Sequence, residues 1–246
     1  MRRHIAIMMV TAKRILQQLM NDKRTIALML VAPLVLMSLL AWVFANNSSI
    51  FDMIAPALLG VFPFVIMFLV TSITTLRERT SGTLERLMTM PVGKFDIIGG
   101  YALAFGFFGM VQSLVVSSFV MYVLKMNVLG PQWFVVLVAL CDTLLGVALG
   151  LFVSAFARTE FQAVQFMPAL IFPQLIVCGL FVPLAALPQT LEFIAYMLPL
   201  TYAVDALNLV TNNDSVTATM WIDIVAVIVF SLIALVFASL TLRRRS

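Results

Sequence analysis

Apolar residues fall into six runs, at 25–45, 52–76, 95–124, 131–156, 161–182 and 221–242, each long enough for a transmembrane helix. The third run exceeds what a hydrocarbon core requires, so it tilts or projects beyond it. Ahead of the first run, residues 5–21 set Ile5, Met8, Met9, Ile15, Leu16 and Leu19 at helical spacing with Lys13, Arg14, Gln17 and Gln18 between them. That pattern predicts a helix lying on the membrane interface. Between the fifth and sixth runs, residues 183–220 are apolar and lack Lys and Arg, but Pro188 and Pro199 divide them into two short helices, the first through Met197 and the second over Thr201 to Leu209. The expected architecture is an all-α membrane protein forming one domain over 1–246. Its parts are six transmembrane helices, an interfacial helix within 1–24, a segment at 77–94 carrying a short cytoplasmic helix, and an outer hairpin at 183–220.

Composition supports a membrane class independently, because 63% hydrophobic and 11% charged residues in a 246-residue chain cannot clothe a soluble surface. Charge adds orientation. Arg2, Arg3, Lys13, Arg14, Lys23, Arg24, Arg77, Arg79, Arg86, Lys94, Arg158 and Arg243 to Arg245 all fall on one side of a six-span chain, and Lys125 alone falls on the other. By the positive-inside rule both termini are cytoplasmic. Counting 183–220 as a further span would force Arg243 to Arg245 outside, so the pair is expected to re-enter the outer leaflet, its backbone covered by protein. The net charge of +4 is a topology signal with no basic, aromatic-interleaved stripe for nucleic acid. Cys141 and Cys178 lie in predicted spans and suggest packing, and the first span is expected to act as its own export signal.

The densest charged island runs Arg77-Glu78-Arg79-Thr80-Ser81-Gly82-Thr83-Leu84-Glu85-Arg86-Leu87-Met88-Thr89-Met90-Pro91. Gly82 can cap a helix whose third residue, Glu85, reaches back to free backbone donors, and Pro91 stops it. Roughly eight residues give about 12 Å, enough to fill a partner's groove and too short to cross a bilayer.

The island resembles the coupling segment of the type 2 ATP-binding-cassette (ABC) exporter permeases, which carry Arg-Glu-Arg, Gly-Thr, Leu-Glu and Pro after the second span. Ala157-Arg158-Thr159-Glu160-Phe161-Gln162-Ala163-Val164-Gln165 and Leu198-Pro199-Leu200-Thr201-Tyr202-Ala203-Val204-Asp205-Ala206 resemble the family at two further places in order. The resemblance implies a drug-efflux-like permease subunit of the bacterial cell membrane, exporting an amphipathic small molecule, drug or antibiotic, or alternatively a polysaccharide or lipid-linked glycan. It implies two cytoplasmic ABC ATPases that bind ATP and Mg, and a second permease copy or paralogue. Arg79, Gly82, Thr83, Leu84, Glu85, Arg86 and Leu87 become the ATPase-coupling residues. In such permeases the first and fifth spans of two copies enclose the route, which makes Phe166, Met167, Phe172 and Gln174 pathway candidates.

No Gly-x-x-x-x-Gly-Lys-Ser/Thr loop is present, so ATP is expected to bind a partner chain. The single histidine, His4, and the absence of a Gly-x-Ser-x-Gly elbow leave no expected catalytic, cofactor or metal residues. Asp142 is the exception that needs a reason, since a mid-span charge costs about 3 kcal/mol. It heads a small-residue stripe with Gly146, Gly150 and Ser154, and the third span offers Gly109, Ser113 and Ser117 beside Gln112. The two stripes are expected to pack together with Asp142 hydrogen-bonded between them. The competing use of Asp142 is a proton or cation pathway in an ion-coupled carrier. An intramembrane enzyme would need clustered polar groups around it.

Overall fold

The computed structural model describes residues 2–83 and 93–241. It is all-helical there: α1 (Arg2–Asn21), α2 (Lys23–Val43), α3 (Ser48–Thr80), α4 (Lys94–Ser118, ending in a π turn at Phe119–Val123), α5 (Gln132–Ser154), α6 (Glu160–Val177), α7 (Gln189–Tyr196), α8 (Pro199–Asn212) and α9 (Ala218–Thr241). Among the described residues, six helices are long and apolar enough to cross a membrane: α2, α3, α4 with its π turn, α5, α6 and α9.

α3 and α5 form the centre of the bundle, each with 72% of its apolar window buried. Glycines make this possible. A Cβ on Gly146 would lie 2.5 Å from the Phe64 carbonyl oxygen, and one on Gly150 would lie 2.6 Å from that of Phe68. The Asp142–Gly146–Gly150 stripe therefore meets the second span, and the expected pairing with the third span does not occur. The third span instead meets the adjacent face of α5, where Gly109 packs on Thr143. The physical reason is angular: residues one apart on a helix point about 100° apart, so Asp142 and Thr143 serve different neighbours. Phe64, Phe68, Phe134, Leu145, Val204 and Leu207 fill the core around this axis.

A second apolar cluster joins α1 to α4 through Ile15, Leu19, Ile97, Tyr101 and Phe105. Thr11 and Met8 lie against Gly100 and Gly99, whose missing side chains admit the helix. This rotates α1 relative to the expected apolar face. Ile5 and Met9 are exposed, while Thr11, Ala12, Ile15 and Leu19 are buried. Asp22 starts α2 by accepting from the Thr25 backbone N–H at 3.2 Å and hydroxyl at 2.7 Å. Those bonds hold its carboxyl below the usual carboxylate range.

The segment 183–220 contains the two short helices that its prolines predicted, bent by 99° at the break. Pro199 occupies the first helical position of α8, where its missing N–H costs nothing. α8 runs on to Asn212, longer than expected, and the Tyr202 hydroxyl donates to the Tyr196 carbonyl across the bend at 2.7 Å.

Candidate functional site

At 33 residues α3 is about 50 Å long, well beyond a hydrocarbon core of about 30 Å. Its last turn therefore carries Arg77, Glu78 and Arg79 out of the apolar layer. Three consecutive residues on a helix point in three directions, and here each direction meets a different element.

Arg77 forms a two-pronged ion pair with Glu160, Nε to Oε1 at 2.7 Å and an NH2 nitrogen to Oε2 at 2.9 Å. Glu160 is the first residue of α6, whose start is capped by Thr159 accepting from the Gln162 N–H at 3.1 Å. Two of the charged stretches that stand out in the sequence thus touch.

Glu78 turns inward and is only 3% exposed. It accepts from Arg14 of α1 at 2.7 Å and from the Tyr101 hydroxyl of α4. Arg14 also reaches the Tyr101 oxygen at 3.3 Å, closing a triangle. Burial pulls the Arg14 guanidinium down, but the hydrogen bond and charge of Glu78 outweigh it and hold it above its ordinary value. Nearby, the His4 ring bonds the Asp96 carboxylate at 2.9 Å, and Asp96 accepts from the Gly93 N–H at 3.1 Å. α1 is thus tied to α4 by polar contacts at His4 and Arg14 and by apolar ones between them.

Arg79 donates to the Ser154 carbonyl, one of the unpaired acceptors that end α5, where a cation is also favoured by the helix dipole. The last turn of α3 therefore gathers α1, α4, the end of α5 and the start of α6. Ser81 and Gly82 follow, Gly82 at φ +74°. That left-handed geometry ends α3, with the Gly82 N–H returned to the Arg79 carbonyl at 3.3 Å. The sequence assigned Gly82 the opposite duty, starting the next helix. Thr83 is helical. Leu84, Glu85, Arg86 and Leu87 lie outside the described residues.

The intramembrane candidates separate. Ser113 bonds the Thr143 hydroxyl at 2.7 Å and the Ala139 carbonyl at 3.2 Å. Gln112 donates to the Met29 carbonyl of α2 at 2.9 Å. Met29 lies four residues before Pro33, which has no N–H to give it, so Gln112 supplies the donor that the proline removed. Asp142 is fully buried and, contrary to expectation, neither carboxylate oxygen has a hydrogen-bond partner among the described residues; the Ser117 hydroxyl has none among them either. Oδ2 faces the place a Cβ would take on Gly60, 3.0 Å away.

Among the pathway candidates, Phe166 and Met167 pack partly against the main core and Phe172 is half-exposed. Gln174 is buried and committed to the protein: its amide donates to the Leu170 carbonyl at 2.9 Å and its oxygen accepts the Leu200 N–H at 3.4 Å. That N–H is one of the free donors starting α8, so Gln174 caps that helix. Arg14, Tyr101 and Ser154 received no such role from the sequence. They stand far from Glu78 along the chain, and the partial signal was Glu78 itself, an acid closing an apolar run.

The profile of the ABC-2 type transporter membrane domain matches residues 6–211, which includes Arg14, Arg77, Glu78, Arg79, Tyr101, Ser154 and Glu160. The chain belongs to the ABC-2 type transporter family. Permeases of this family are membrane transport subunits that typically work with ATPase subunits. It is 30% identical to ABC transporter G family member 20 of Dictyostelium discoideum over 161 residues, 65% of this chain and 22% of that protein. It is 30% identical to the linearmycin resistance permease protein LnrN of Bacillus subtilis over 145 residues, 58% of this chain and 37% of that one. A probable multidrug ABC transporter permease of Escherichia coli, YbhS, is 20% identical over 193 residues, 78% of this chain and 51% of its own length. The chain thus spans from about a fifth to about half of these relatives.

Proposed function

We propose that this chain is the permease subunit of an ATP-driven exporter that moves an amphipathic small molecule, of the drug or antibiotic kind, out of the cytoplasm or inner leaflet. The observation that carries the reading is the triple attachment of Arg77, Glu78 and Arg79 to α6, to α1 and α4, and to α5. A push on a segment that follows directly after Arg79 reaches four helices at once, through contacts too short to absorb it. Thr83 to Met90 is assigned to the groove of an ABC ATPase, with Leu84 and Leu87 as its apolar contact and Glu85 and Arg86 as its charged one. Two ATPases, which bind the ATP and Mg, and a second permease copy or paralogue complete the machine.

Support for the pairing comes from burial. The apolar windows of α2 and α6 are only 17% and 22% buried, and two copies meeting along these faces would cover them. Both termini and the island are assigned to the cytoplasm by the basic residues, and α7 with α8 to the outer leaflet. The substrate class rests on relatives named for linearmycin resistance and for multidrug transport.

The test is co-expression with the neighbouring ATPase and reconstitution in proteoliposomes. Glu85→Lys with Leu84→Asp should leave insertion intact and abolish both substrate-stimulated ATP hydrolysis and co-purification of the ATPase, because like charges then face each other across the contact. Wild-type transport from this double variant would refute the reading.

A further inference from the structure

At the end of the bundle away from the arginine cluster, the loop between α4 and α5 is clamped between two helices. Its Asn127 N–H donates to Asp52 Oδ1 of α3 at 3.1 Å, and its Leu129 and Gly130 N–H groups donate to the Thr211 and Val210 carbonyls ending α8 at 3.2 and 3.0 Å. Gly130 is required there, since a Cβ would sit 2.5 Å from the Val210 oxygen. Held this way, the loop, the first turns of α3, the 178–184 segment and α8 enclose a cavity of about 540 Å³. That is the size of a site for a drug-sized ligand.

Its lining has one sign of charge. Asp52 and Asp205 face it together with Asn127, Asn208 and Asn212, and Phe181 and Leu180 supply an apolar wall. Among the described residues no Lys, Arg or His lines it. Lys125, the one basic residue at this end, is exposed and makes no ion pair among the described residues. Asp205 is half-buried and, among the described residues, has neither a hydrogen-bond nor an ion-pair partner. On α9, Asp223 is itself 5% exposed, with one oxygen left without a partner among the described residues. A partly buried carboxylate such as Asp205, with no cation or donor beside it among the described residues, holds its charge at a cost, and a bound cation removes it.

We propose that this cavity binds an organic cation, with Asp205 as its principal counter-charge, Asp52 as a second, the asparagine amides as hydrogen-bond partners, and Phe181 offering a ring face. Carboxylates and amides select the positive head, and the apolar wall takes the hydrophobic remainder. The assignment concerns binding and stands whether or not the chain works as the exporter proposed above.

The experiment compares two ions of one shape and opposite charge. The purified full chain is placed in phosphatidylcholine nanodiscs, and saturable binding of tetraphenylphosphonium and of tetraphenylborate is measured by equilibrium dialysis against empty discs. Tetraphenylphosphonium should bind at least tenfold more tightly. Asp205→Asn should weaken it about tenfold and Asp52→Asn about threefold, with tetraphenylborate not weakened, and Phe181→Ala, which removes the ring face, should weaken tetraphenylphosphonium more than tetraphenylborate. Asn212→Lys places a cation in the cavity from an exposed position whose side chain bonds, among the described residues, only the Asn208 carbonyl of its own helix, and it should abolish tetraphenylphosphonium binding. Equal affinity for the two ions overturns the proposal, as does unchanged tetraphenylphosphonium binding by Asn212→Lys.

Discussion

Breaking the Glu78–Arg14–Tyr101 triangle gives the most direct measure of how firmly α1 is held to the bundle. Glu78→Ala removes the acceptor of two hydrogen bonds from a site 3% exposed and leaves the Arg14 charge and the Tyr101 hydroxyl without it. Stranding one partner of a fully buried ion pair costs about 3–5 kcal/mol. The Arg14 side chain keeps 33% of its exposure, so water recovers part of that and the expected loss falls near 3 kcal/mol, at the low end of that range. Glu78→Gln keeps an acceptor and loses the charge, which should cost about 1.5 kcal/mol. The decisive measurement is a double-mutant cycle with Arg14→Met, read by unfolding in mixed micelles with increasing anionic detergent. Because the two side chains touch, the coupling energy should reach about 1.5 kcal/mol or more. Substrate-stimulated ATP hydrolysis in the assembled transporter should fall in parallel. Additivity within about 0.5 kcal/mol would show that the contact carries no energy and refute the reasoning.

Gln112→Leu should destabilise by about 1–2 kcal/mol because the Met29 carbonyl loses its donor, and Pro33→Ala should erase most of that cost by restoring the helical N–H; an equal loss in both backgrounds would rule this out. Asp142→Leu, similar in shape and free of unpartnered oxygens, should fold at least as well as wild type, gaining up to about 2 kcal/mol in the same micelle assay. A fall in folded protein would mean that Asp142 has a partner in another state. Gly146→Ala should cost about 2 kcal/mol or more through its clash with the Phe64 backbone, a change that size-exclusion and thermal melting will register, whereas Gly82→Ala should act only through its left-handed backbone.

Apolar run length, proline position and the placement of Arg and Lys are local or one-dimensional properties, and they sufficed for the spans, for the break at Pro199 and for the charged island after α3. Run length counts residues against a bilayer of known thickness, so no knowledge of neighbours is needed. Packing partners are a different kind of fact. The small-residue stripe from Asp142 to Gly150 was visible as a stripe, yet nothing along the chain says which helix will lie on it, and it met α3 rather than α4. Gln174 was visible as an amide within an apolar helix, but only the fold placed the free N–H of Leu200 beside it. Glu78, Arg14 and Tyr101 form one triangle from three distant points, and Gln112 completes a hydrogen bond whose absence arises in another helix, at Pro33. Each of these depends on the angle and depth at which two helices cross, and that is set by the sum of all side-chain contacts in the bundle. Periodicity tells a helix which face to bury; only the assembled structure decides against what.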